Sequence, residues 1–130
     1  MYQVTIETHF SSAHRLRQYN GECERLHGHN WNVQVSIASE KLNNLGMVID
    51  FKELKSRTNR LMDKFDHQYL NEVPPFTELN PTTENIAKFV FDELSKVINT
   101  DSTKVSKVTV WESPTCYASY GRSVDQSIGL

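Results

Sequence analysis

Cysteine is scarce in this chain. Cys23 and Cys116 are the two present among 130 residues, too few for a disulfide framework, and both are expected to be free thiols. Glycine and proline are also few, five and four, and form no linker, repeat or low-complexity tract. Residues 1–130 are therefore read as one domain. No apolar run approaches the roughly 20 residues a membrane-spanning helix requires. The opening "MYQVTIETHF" alternates polar and apolar residues and lacks a cationic head followed by an apolar stretch, so no secretion signal is expected and the cytoplasm is the expected location. A net charge of −2 supplies no basic field, so neither nucleic acid nor a membrane is an expected partner. A small anionic ligand remains compatible, because local cations can bind it.

Two kinds of periodicity are present. Tyr2, Val4, Ile6 and Phe10, with Thr8 in phase, alternate with Gln3, Thr5, Glu7 and His9, the period of a half-buried strand. The alternation returns from His27 to Ala38, with Trp31, Val33, Val35 and Ile37 on one face. "NNLGMV" is a turn signal. Asp50 is then a helix N-cap with Glu53 at capping-box spacing, followed by Phe51, Leu54, Thr58, Leu61, Met62 and Phe65 at helical intervals. "NEVPPFTELNP" holds three prolines and stops that helix. Thr82 or Thr83 caps a second one, with Ile86, Ala87, Val90, Phe91, Leu94, Val97 and Ile98 inward. A third strand carries Val108, Val110 and Glu112 on one face, and a short fourth spans Cys116 to Tyr120. This order predicts an α+β domain: a four-stranded antiparallel sheet with two helices between strands two and three, packed on one face. Its open edges favour self-association.

Two of the five histidines stand one residue apart in "CERLHGHNW". His27 and His29 share the parity of Trp31 and Val33, so both extend the inner face of strand two. His14 lies just past strand one; if the two strands pair antiparallel, it meets them. Three imidazoles at one point suggest a metal such as zinc with an open fourth position; two solvated histidines in a turn are the blander alternative. His9 has outward parity and is expected on the surface. The loop Arg15–Leu26 that joins the strands is long enough to be functional. Within it Cys23 is a fourth ligand or a free nucleophile or base; a nearby dication favours its thiolate, and the flanking Glu22 and Glu24 oppose that. Asp66 and His67, in "FDHQYLN", form either a polar turn or an acid–base pair. Glu112 continues an apolar face, where a carboxylate needs a partner. It is either a surface residue at a strand end or a ligand anchor, suited to the paired N–H donors of a guanidine-like ring edge such as a pterin's.

"FSSAHRL", "CERLHGHNW", "MVIDFKELK", "FDHQYLN", "NPTTENIAKFV" and "VTVWESPT" occur in this order along almost the whole chain. Together they resemble the 6-pyruvoyl-tetrahydropterin synthase family, and the bacterial 6-carboxy-tetrahydropterin synthase branch most of all. The resemblance implies the tunnelling fold, in which subunits join edge to edge into a barrel as a homo-oligomer, a trimer or a hexamer of two stacked trimers, with active sites at subunit interfaces. It implies a zinc-dependent lyase acting on 7,8-dihydroneopterin triphosphate. In the 6-carboxy branch acetaldehyde and triphosphate are released, toward queuosine and other 7-deazapurines; in the 6-pyruvoyl branch the side chain is kept. Carried over by position, His14, His27 and His29 match the zinc ligands, and Cys23 the catalytic cysteine. Asp66 and His67 match its acid–base partners, Glu112 the pterin anchor, and Thr82, Thr83 and Glu84 the pocket lining. Arg15, Lys52 and Arg122 are candidate cations for the triphosphate. The tail "GRSVDQSIGL" carries none of these motifs. A zinc- or pterin-binding protein without turnover is the alternative of another class.

Overall fold

The computed structural model describes residues 1–21 and 23–122. Glu22 and the tail beyond Arg122 lie outside the described residues, so the expectations placed on them receive no structural statement. In chain order the elements are β1 (Tyr2–His14), β2 (His27–Ser39), α1 (Phe51–Met62), β3 (Gln68–Tyr69), a single 3-10 turn (Leu70–Glu72), α2 (Thr83–Ile98), β4 (Thr103–Ser113) and β5 (Cys116–Gly121). The sheet runs β3-β1-β2-β4-β5. The expected four antiparallel strands are its body. One correction applies: β3, two residues long, adds a fifth strand parallel to β1, through Ser12 opposite Gln68 and Ala13 opposite Tyr69. Two residues are too few to show a period in sequence.

The first ladder is unbroken from Tyr2 opposite Ser39 to His14 opposite His27. β1 therefore continues past Phe10 through a polar run, and His14 is its last residue rather than lying beyond it. Ile6, Phe10, Ser12 and His14 are buried, in strict alternation with exposed or half-buried neighbours. Phe10 lies parallel to Trp31, ring centroids 5.8 Å apart, and Phe65, Phe76 and Phe89 continue the aromatic core behind it. Phe10, Trp31, Phe65 and Phe76 are fully buried, each contributing on the order of 1.5–3 kcal/mol relative to exposure.

α1 lies against β1, and α2 against β4 and β5. Asp50 caps α1 by accepting the Lys52 N–H at 2.8 Å, and Thr82 caps α2 by accepting the Asn85 N–H at 3.1 Å. Glu53 does not complete a capping box; it pairs with Arg57 at 3.1 Å. The inner faces hold as expected with two corrections: Phe51 is 53% and Val97 54% exposed. Each lies at an end of its helix on an open groove, Phe51 beside Tyr2 and Leu42, Val97 beside Arg57 and Leu61. In β4 a bulge shifts the register between Ser36 and Ile37, so Val105 as well as Val108 and Val110 turns inward. No helix among the described residues is long and apolar enough to cross a membrane.

Candidate metal centre

The end of the β1–β2 ladder carries the polar cluster. His14 and His27 face each other as its last pair, and His29 pairs with Ser12 between that end and the Phe10–Trp31 pair. The three rings pack edge to face, with centroids 4.7–5.2 Å apart. Trp31, fully buried beneath them, meets His14 and His29 in the same manner. Parity alone brings the side chains to one face; Gly28 between the two imidazoles adds none.

Glu112, near the end of β4, reaches the same point. Its Oε1 lies 2.9 Å from His29 Nε2 and 3.8 Å from His14 Nε2, and its Oε2 accepts the Thr83 hydroxyl at 3.1 Å. Ligand atoms of His14, His27, His29 and Glu112 all lie within 4.8 Å of one another. The closeness of Glu112 to the imidazoles is not readable from the sequence, because it depends on the β2–β4 register. His29 Nε2 lies close to the carboxylate but out of hydrogen-bond alignment, and is buried without a partner.

The tautomers follow from the acceptors. His14 Nδ1 is 2.8 Å from the Pro81 carbonyl and His27 Nδ1 2.8 Å from the Arg25 carbonyl. A carbonyl only accepts, so both Nδ1 atoms carry the proton and both Nε2 atoms present lone pairs. Those lone pairs face each other across 3.1 Å. Two acceptors at that distance repel unless a cation lies between them. Nitrogens bound tetrahedrally at about 2.0–2.1 Å to one ion stand about 3.3 Å apart. Ring N–H groups held by backbone carbonyls are also the usual support of metal-ligating histidines. The donor set therefore fits a divalent metal. Burial holds the His14 imidazolium below its ordinary range, aided by His27 and His29 and opposed by the Pro81 carbonyl and Glu112, so His14 is kept neutral as a ligand must be.

The segment that leads to Pro81 is tied to the chain after His14 by residues that the sequence reading passed over. Asn71 pairs with Arg15 in both directions, accepting its N–H at 3.0 Å and donating to its carbonyl at 2.9 Å. Asn80 accepts the Arg17 N–H at 2.8 Å, and the Arg17 guanidinium donates to the Asn71, Phe76 and Leu79 carbonyls. The available signal was a pair of asparagines flanking a proline-rich stretch, side chains suited to satisfying irregular backbone.

The other candidates stand apart. Asp66 accepts the Ser11 N–H at 2.9 Å and lies 3.0 Å from His67 Nδ1. The Ser11 N–H foremost, then the His67 ring, hold the Asp66 carboxyl below its usual range against partial desolvation. His67 has φ of 58°, donates its own N–H to the Ser11 carbonyl and has an exposed ring. Cys23 is exposed. Beside it Glu24 closes the loop onto Leu16, its N–H donating to the Leu16 carbonyl at 2.8 Å, and its carboxylate accepts the Leu16 N–H. Among the described residues, no hydrogen bond or ion pair links Cys23, Asp66 or His67 to the imidazole cluster. Thr82 is engaged as a helix cap and Glu84 is exposed in the first turn of α2. Arg15 adjoins His14. Lys52 is exposed at the start of α1, and Arg122 donates to the Val105 carbonyl, in the row of Ile37 and Val4, ten residues along β1 from His14. His9 is exposed, as its parity requires.

A model of the family described as 6-pyruvoyl tetrahydropterin synthase matches residues 3–123. A Bacillus subtilis protein named 6-carboxy-5,6,7,8-tetrahydropterin synthase is 31% identical over 126 residues, covering 92% of this chain and 84% of that one. A Haemophilus influenzae protein of the same name is 30% identical over 92% of this chain and 99% of its own. Among solved structures, that of Caenorhabditis elegans 6-pyruvoyl tetrahydropterin synthase superposes with a TM-score of 0.77 at 31% identity, over 95% of this chain and 98% of the other.

Proposed function

The chain belongs to the 6-pyruvoyl tetrahydropterin synthase family, and from that premise we propose that it is a zinc-dependent 6-carboxy-5,6,7,8-tetrahydropterin synthase. Its substrate is 7,8-dihydroneopterin triphosphate, taken with water to 6-carboxytetrahydropterin, acetaldehyde and triphosphate, in the route toward queuosine and related 7-deazapurines. One observation carries the metal part: two imidazole lone pairs 3.1 Å apart, with both opposite ring nitrogens committed to backbone carbonyls. The names of the Bacillus and Haemophilus relatives support the branch.

His14, His27 and His29 would hold the ion. Bound zinc supplies Lewis acidity that acidifies the side-chain hydroxyls and the neighbouring C–H bonds. Glu112 anchors the pterin's 2-amino and ring N–H edge, its Oε2 held in place by Thr83, with Thr82 and Glu84 beside it. Cys23 moves protons on the substrate side chain, and His67, oriented by Asp66 at 3.0 Å, relays them. The exposure of Cys23 and His67 in one chain agrees with a site completed at a subunit interface in a homo-oligomeric trimer or hexamer. Arg15 is the triphosphate cation beside the centre; Arg122 fits that role only from another subunit, since ten strand residues span about 33 Å.

The test is metal quantitation of the purified protein with product analysis on dihydroneopterin triphosphate. One zinc per chain, with triphosphate and acetaldehyde formed in equal amounts, is the expected result. Triphosphate without acetaldehyde selects the 6-pyruvoyl reaction, the second reading, which the likeness to the Caenorhabditis enzyme supports. Zinc bound with no turnover selects a binding protein.

A further inference from the structure

Of the three imidazoles, His29 alone lacks a brace. Pro81 fixes His14 and Arg25 fixes His27 through carbonyl oxygens, whereas neither ring nitrogen of His29 makes a hydrogen bond. Two buried side-chain polar atoms among the described residues have no hydrogen-bond partner: His29 Nε2 and Ser12 Oγ. They belong to residues directly opposite each other in the β1–β2 ladder. Burying an unpaired hydroxyl is unfavourable, and alanine would fill the position without that cost.

The backbone of Ser12 is held from two sides. Its carbonyl accepts the Trp31 indole N–H at 3.2 Å, and its edge pairs with Gln68 of β3. Only its side-chain torsion is free. Directly opposed residues place their Cβ atoms about 4.5–5.5 Å apart, so a rotation of the hydroxyl reaches the facing ring.

We propose that Ser12 is a positioning residue for the His29 arm of the metal centre. Its hydroxyl accepts the N–H of the His29 ring nitrogen turned away from Glu112, as the Pro81 and Arg25 carbonyls do for His14 and His27. The role rests on the metal-centre reading above. By it Ser12 holds the His29 ring in orientation, with Nε2 toward the ion, and touches neither ion nor substrate.

The test uses the full chain stripped of metal and titrated with Zn²⁺ against a chromophoric chelator, for the wild type, Ser12→Ala, Ser12→Thr and His29→Ala. The wild type is expected to bind one equivalent. Ser12→Ala is expected to keep that stoichiometry and bind about 10–100-fold more weakly, the usual cost of losing a support behind a ligand. Ser12→Thr, which retains the hydroxyl, is expected to stay close to wild type, and His29→Ala to lose the site. Equal affinity of wild type and Ser12→Ala overturns the proposal and leaves the metal centre standing, as does a Ser12→Thr variant as weak as Ser12→Ala. A wild type that binds no Zn²⁺ overturns both.

Discussion

The imidazole cluster and the Asp66–His67 pair are both built against the last residues of β1, yet they differ in almost every physical respect. Ser12 and His14 face inward with the imidazoles, buried against Trp31. Ser11, between Phe10 and Ser12, holds Asp66 and His67 through its own N–H and carbonyl. The first group sits on strands and is fixed by ladder register; the second hangs from the strand edge, its histidine exposed and in a left-handed conformation. A metal site needs ligand atoms held to a few tenths of an ångström, which a packed sheet provides. A proton relay must meet a ligand that comes and goes, which an accessible edge provides. Cys23, on the loop and exposed, belongs with the second group.

The largest effect that divides the two groups is on metal retention. His14→Ala or His27→Ala is expected to leave no stoichiometric metal after dialysis, measured by elemental analysis, and to remove turnover with it. Cys23→Ala and His67→Ala are expected to keep one equivalent of metal while turnover falls by about 10²–10⁴-fold. If Cys23→Ala loses the metal instead, the thiol is a fourth ligand and the division is wrong. Glu112 touches both groups' business, lying at the imidazoles while serving the substrate. Glu112→Gln is expected to raise KM by about 10–100-fold, as loss of a charged hydrogen-bonding partner does, with metal content unchanged.

A smaller effect concerns pH. Burial lowers the His14 pKa in the folded chain, so the unfolded chain binds that proton more readily. The metal-free protein is therefore expected to lose stability as pH falls below the ordinary imidazole value of about 6.5, and to regain it above. Urea unfolding of the metal-free chain at pH 7.5 and 5.5 measures this, and His14→Ala should flatten the difference. The smallest effect tests whether Thr82 serves more than the helix: as a cap only, Thr82→Ala costs about 0.5–2 kcal/mol of stability with KM unmoved.

Much of the buried group was legible in the sequence, because it obeys a period. The parity of His27 and His29 with Trp31, and an antiparallel pairing that returns His14 to them, follow from alternation. The helix caps at Asp50 and Thr82 were legible for the same local reason. What stayed hidden depends on contacts between distant segments. The meeting of Glu112 with His29 needs the β2–β4 register. β3 is too short to show a pattern, and the Arg17–Asn71–Asn80 network satisfies backbone that has no pattern. Phe51 and Val97 were misjudged because helical spacing identifies a stripe but not which of its positions open onto a groove between elements.

The clamp between Leu16 and Glu24 divides the long β1–β2 connection into two regimes of evolutionary freedom. Residues added or removed around Gln18–Gly21 extend or shorten a turn outside the clamp and leave Cys23 at its place beside Glu24. A single deletion between Phe10 and His14 has no such refuge, since it exchanges the tenants of the two strand faces and carries His14 out of the protein. Related chains should therefore vary in length in the first stretch and hold the interval in the second.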